Sequence, residues 1–182
     1  MAQFLQTLLG SSPLEAGLQL LPWTATPMLV APAAGALADR AGPRPVLATG
    51  LALQAIGLGW IALVAGAGTA YGELVVPLVV AGVGISMAIP SAQTAVLGAV
   101  APDALGRATG VNSTLREMGG VLGIALTVAV FAARGDVGSA AAFADGFAPG
   151  IALAASLSLL TALLVPSRPA PVATEAPAPA PA

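Results

Sequence analysis

The chain has 182 residues, 57% of them hydrophobic and 8% charged, with a net charge of −2. A soluble domain carries about 25% charged residues, so the polar surface is too small to cover a water-exposed globule. The six basic residues are scattered arginines and there is no histidine or cysteine, which argues against a nucleic-acid partner, a zinc site and a disulfide framework.

The first stretch, 1–15, lacks the positive start of a signal peptide. It reads as the tail of a helix followed by a loop, an extracytoplasmic remnant of a preceding span. Five apolar runs follow, at about 16–37, 46–67, 74–100, 109–133 and 147–165. Each is near the roughly 20 residues needed to cross about 30 Å of hydrocarbon. None alternates polar and apolar residues as a strand would. The expected fold is therefore all-α and integral to a membrane, with about five transmembrane helices bundled over residues 16–166.

In the first run, Gln19, Trp23 and Thr26 share a helical face. They can line a pore or make interhelical hydrogen bonds. The run ends in Gly35-Ala36-Leu37-Ala38-Asp39-Arg40-Ala41-Gly42-Pro43-Arg44. Gly35 and Asp39 are one turn apart, and Gly42-Pro43 predicts a tight turn into the second helix. In the third run, Ser86 and Gln93 repeat the polar spacing of the first. Pro22, Pro27, Pro32, Pro77 and Pro90 fall inside the runs, where each removes a backbone donor and can kink its helix.

The fourth run carries Arg116 and Glu117 well inside apolar sequence. Charges there cost roughly 2.5–3.5 kcal/mol each on insertion scales and persist when they face a cavity or a partner. At 100° per residue, Asn112, Arg116, Gly119, Gly120 and Gly123 share one face with Thr109 and Thr127. Asn112 and Arg116 are candidates for a cavity or gate, with Glu117 beside them. Gly119, Gly120 and Gly123 suit close helix packing. The alternative for Arg116 is a side chain that snorkels to the interface.

Arg40, Arg44, Arg107 and Arg168 accumulate on one side, against Arg134 on the other. Positive residues favour the cytoplasm, so the C-terminus is expected inside and the N-terminus outside, in the plasma membrane. The tail, 167–182, alternates proline and alanine and is expected to be disordered and cytoplasmic. No nucleophile with a base, facing acid pair, metal-ligand set or Walker loop occurs. No enzyme activity, cofactor or metal is expected.

The spacing of Gly35, Leu37, Asp39, Arg40, Gly42 and Arg44 resembles the signature loop of the major facilitator superfamily, with Pro43 where that family often has a basic residue. The block Ser12-Pro13-Leu14, Ala16-Gly17-Leu18, Leu21-Pro22 resembles its fourteen-span drug:proton antiporter branch. So does Gly106-Arg107-Ala108 with Gly110, Asn112, Arg116, Gly119, Gly120 and Gly123. Both blocks belong to the C-terminal half of that branch. The resemblance implies most of the second six-helix bundle of a major facilitator fold. It further implies proton-coupled efflux of small amphipathic compounds by alternating access. Beyond the lipid bilayer, the implied partners are a small-molecule substrate, protons, and a missing N-terminal half in cis or in trans. The alternative is a non-transporting relic or a membrane assembly subunit.

Overall fold

A computed structural model describes residues 1–165; the proline- and alanine-rich tail lies outside the described residues. Among these residues the chain is all helical. Four helices are long and apolar enough to cross a membrane, and five if one bent pair counts as a single span.

Helix α1 (Ala2–Leu8) ends in a turn where Gly10 takes a φ of +67°. Helix α2 (Pro13–Gln19) starts on a capping box: the Ser12 hydroxyl accepts from the Glu15 N–H, and the Glu15 carboxylate accepts from the Ser12 N–H. Such a box satisfies two of the amides that a helix start leaves unpaired.

The first apolar run, about 16–37, is not one straight helix, as the prolines within it allow. The chain instead forms α2, the single turn α3 (Leu21–Thr24) and α4 (Thr26–Ala41), bent by 44° between Pro13–Gln19 and Leu21–Ala41. Pro22 has no N–H, and the Trp23 N–H bonds the Leu20 oxygen at 3.0 Å. The Gln19 carbonyl therefore loses both of its helical donors, and the axis turns there.

Gly42 alone separates α4 from α5 (Pro43–Val64), and its φ of +87° with ψ of 155° suits only glycine. Pro43 opens α5 at the position where a missing N–H costs nothing. Helix α6 (Tyr71–Leu97) contains Pro77 and Pro90. A short 3-10 turn, Pro102–Ala104, leads into α7 (Leu105–Arg134). Helix α8 (Ala140–Leu164) is capped by Ser139, whose hydroxyl accepts from the Ala142 N–H. It starts before the expected 147–165, so Asp145 lies within a helix. Along α6, α7 and α8, hydroxyls such as Ser86, Thr127 and Ser158 donate to the carbonyl four residues back. This hides each polar group within its own helix, as a hydrocarbon environment requires.

Helices α5 and α6 form the tightest seam. A Cβ on Gly50 would lie 2.7 Å from the Gly84 oxygen, and one on Gly57 would lie 2.7 Å from the Pro77 oxygen. Only bare backbone permits that approach, and the order of the contacts shows that the two helices run antiparallel. Thr26 and Trp23 press on Gly82 of α6 from the other side. At the end of the bundle away from Gly42, Phe4 and Leu5 of α1 are fully buried against Ile61, Leu74, Leu78 and Phe143. An aromatic ladder crosses this end: Phe4 to Phe147 at 4.5 Å, Phe147 to Phe143 at 6.0 Å and Phe143 to Phe131 at 5.1 Å.

Candidate functional site

The signature turn occupies the end of α4 and the start of α5. Asp39 and Arg40 are exposed there, while Gly35, Gly42 and Arg44 are half-buried. Arg40 sits in the last turn of α4, where a cation complements the helix dipole. Beneath the turn, Ala34, Val46 and Met87 form a small buried cluster that ties α4 and α5 to α6. The turn is thus a corner with Asp39 and Arg40 outside and Arg44 half-buried.

The cavity and gate candidates fall in three places. Arg116 and Glu117 lie on α7, which has no buried residue. Sequence placed these charges inside an apolar run, facing a cavity or snorkelling; their side chains are 56% and 78% exposed and pair with each other at 3.5 Å. The reason is tertiary. Helix α7 is pinned at its far end, where Gly135 and Gly146 meet backbone to backbone and Gly150 receives Thr127. Phe131 packs edge-on against Phe143 at the same place. Toward its N-terminal half, nothing lies within 4 Å of a Cβ placed on Gly106, Gly110, Gly119, Gly120 or Gly123. Asn112 is half-buried on the same face as Arg116. A different side of α7 carries a shallow apolar groove of about 560 Å³, lined by Glu117, Met118, Val121 and their neighbours.

Gln19 and Trp23 occupy the bent region, and the bend divides the row they were expected to share with Thr26. Trp23 is half-buried beside the core cluster, and Thr26 is buried with its hydroxyl donating to the Pro22 oxygen. Gln19 takes part in two hydrogen bonds: its side-chain oxygen accepts from the Ser11 hydroxyl, and its backbone oxygen accepts from the Tyr71 hydroxyl, each at 2.9 Å. Gln93, in α6, is exposed. The structure therefore groups Asn112, Arg116 and Glu117, and separately groups Gln19 with Trp23. It does not bring the two groups together.

Sequence reasoning passed over Tyr71, Gln54 and Ser91. Tyr71 follows a glycine-rich loop and opens α6. The buried Gln54 Oε1 and Ser91 Oγ have no hydrogen-bond partner among the described residues. The signal available for Gln54 was a lone amide in an apolar run, which is costly in hydrocarbon. Among the described residues no group of three or more acidic, histidine or cysteine side chains gathers to hold a metal.

Comparison with known proteins gives a family match along the whole sequence. The model of the Major Facilitator Superfamily matches residues 1–182. The multidrug resistance protein Stp of Mycobacterium tuberculosis is 31% identical over 131 residues, covering 72% of this chain and 24% of that protein. The uncharacterized transporter YebQ of Escherichia coli is 32% identical over 136 residues, covering 75% and 30%. The tetracenomycin C resistance and export protein of Streptomyces glaucescens is 30% identical over 135 residues, covering 74% and 25%. The chain spans about a quarter of the length of these curated relatives.

Proposed function

The chain belongs to the major facilitator superfamily, and from that premise we propose that it forms part of a drug-efflux transporter. In this reading it moves small amphipathic compounds out of the cell by alternating access, coupled to protons. The observation that carries the reading is the family match together with the polar, glycine-lined side of α7. Asn112, Arg116 and Gly119 to Gly123 sit in a membrane helix with no fully buried residue, and nothing lies within 4 Å of a Cβ on Gly119, Gly120 or Gly123. Arginine in a bilayer needs water, a cavity or a partner. A second bundle facing α7 would supply the last two, and the substrate path would run between the bundles.

The roles follow from position. Asn112 and Arg116 face the path, and Glu117 pairs with Arg116 beside it at 3.5 Å. Gly119, Gly120 and Gly123 let the opposing helix approach. Asp39, Arg40 and Arg44 form the cytoplasmic corner, pairing with the other bundle in one access state and releasing in the other. Arg40, Arg44 and Arg107 then lie inside and Arg134 outside, which sets the termini as the sequence suggests. The second bundle comes from the same polypeptide or from a separate one.

The test is reconstitution in liposomes with an imposed pH gradient and a fluorescent amphipathic cation as probe. The chain alone is expected to give no gradient-driven transport, and transport is expected once a first-half bundle is supplied in cis or in trans. Transport by the chain alone overturns the need for a second bundle. Silence of the completed assembly toward a panel of such cations favours the other reading, a non-transporting relic or assembly subunit.

A further inference from the structure

The helix break at Gln19 leaves a backbone carbonyl without its two helical donors, since Pro22 has none and Trp23 bonds Leu20. A backbone carbonyl left unpaired away from water costs free energy comparable to a lost hydrogen bond. The Tyr71 hydroxyl, 52 positions along the chain at the start of α6, fills that gap at 2.9 Å. Within the same reach, the Ser11 hydroxyl holds the Gln19 side chain, so both polar ends of one residue are tied.

Helix α2 has little else to hold it. Ala16 is its one buried residue, and Leu14 and Leu18 are 74% and 56% exposed. It is joined to α4 through the 44° bend and to α1 through the turn at Gly10. By contrast, the α6 residues just below Tyr71, Leu74 and Leu78, are fixed in the core. A lightly packed segment, a break on one side of it and a single long-range polar bond to a fixed helix make a hinge with a clasp.

We infer that Tyr71 is a positioning residue whose hydroxyl clasps α2 to α6 across the end of the bundle opposite the 39–44 turn, and that release of this bond lets α2 swing about Leu20. This rests on the transporter reading for its purpose, which is to hold that end closed in one access state. The bond itself stands on geometry alone. Its chemistry is a simple exchange: when the phenol leaves Gln19, water or another donor takes the carbonyl, and the phenol turns to solvent.

The chain has no cysteine, so pairs of spin labels can be placed without background. In the full chain in lipid nanodiscs, a Leu14→Cys/Val76→Cys pair reports α2 against α6, and an Ile56→Cys/Val79→Cys pair reports α5 against α6. Both pairs are measured with and without Tyr71→Phe, which keeps the ring and removes the hydroxyl. The expected result is a single narrow α2–α6 distance in the parent chain. In the variant the population of a second distance should rise roughly five-fold, the population change that one ordinary hydrogen bond represents. The α5–α6 distance should not change. An unchanged α2–α6 distance overturns the clasp. Broadening of both pairs also overturns it, because Tyr71 would then hold the fold and not α2. Because the readout is a distance and not transport, either failure leaves the transporter reading standing.

Discussion

Glycine does opposite things in two regions of this molecule. At the α5–α6 seam, Gly50, Gly57 and Gly84 bring backbone against backbone, and a methyl group at any of them would collide. On α7, Gly119, Gly120 and Gly123 also lie in a membrane-spanning helix, yet a methyl group there meets nothing within 4 Å. Among the described residues the seam glycines are covered and the α7 glycines are not. Small residues in a membrane helix therefore mark where a neighbour can approach, and only the tertiary structure says whether the chain itself provides one.

The comparison can be broken most forcefully at the aromatic ladder that anchors α7. Phe143 is 5% exposed and touches both Phe131 and Phe147. Phe143→Ala is expected to cost about 3–5 kcal/mol of unfolding free energy in mixed micelles and to free α7 from α8. A label on Val128 would become more mobile in the same experiment; an unmoved label would mean that the Gly135–Gly146 contact suffices.

Next in size are the seam glycines. Gly57→Ala is expected to cost about 1–3 kcal/mol, because the new Cβ presses on the α6 backbone and not on a side chain that can turn away. Gly42→Ala should fall in the same range, about 1–3 kcal/mol, for a different reason: its φ of +87° is closed to a residue with a Cβ. A neutral Gly57→Ala in thermal or denaturant unfolding would show that the α5–α6 seam has room for a methyl group.

The smallest effects sharpen the contrast. Gly120→Ala in the chain alone should leave stability unchanged or raise it by up to about 1 kcal/mol, as for any exposed helical glycine. Glu117→Gln should stay within about 0.5 kcal/mol, because its pair with Arg116 is well exposed and screened. Both substitutions should instead impair transport in a complete two-bundle assembly. Losses of stability in the isolated chain would show that α7 has a partner within it.

Much of the fold was legible from local sequence. The apolar runs over 46–67 and 74–100 overlap α5 and α6, and the Gly42-Pro43 step does make the turn between α4 and α5. The break in the first run was harder to place. Five prolines were seen inside apolar runs, and α6 carries Pro77 and Pro90 without being divided. What breaks the helix at Gln19 is a second event, the Trp23 amide choosing Leu20, and Tyr71 offering a distant hydroxyl to the carbonyl left over. The candidate residues were found one by one, but their grouping was not. Gln19, Trp23 and Thr26 form a row only on an unbroken helix. The exposure of Arg116 depends on where along its length α7 packs, which sequence periodicity does not contain.

The sequence by itself determined that this is a membrane protein of helices, where most of those helices run, and which family it belongs to. Those properties follow from transfer free energies and backbone preferences that each residue carries locally, and from motifs read in order. Only the tertiary structure decided that α5 and α6 close on each other through glycine, that α7 keeps its polar and glycine side open, and that Tyr71 reaches Gln19. Each of those outcomes depends on two surfaces meeting from distant parts of the chain, and the free energy of a contact belongs to the pair and not to either residue alone.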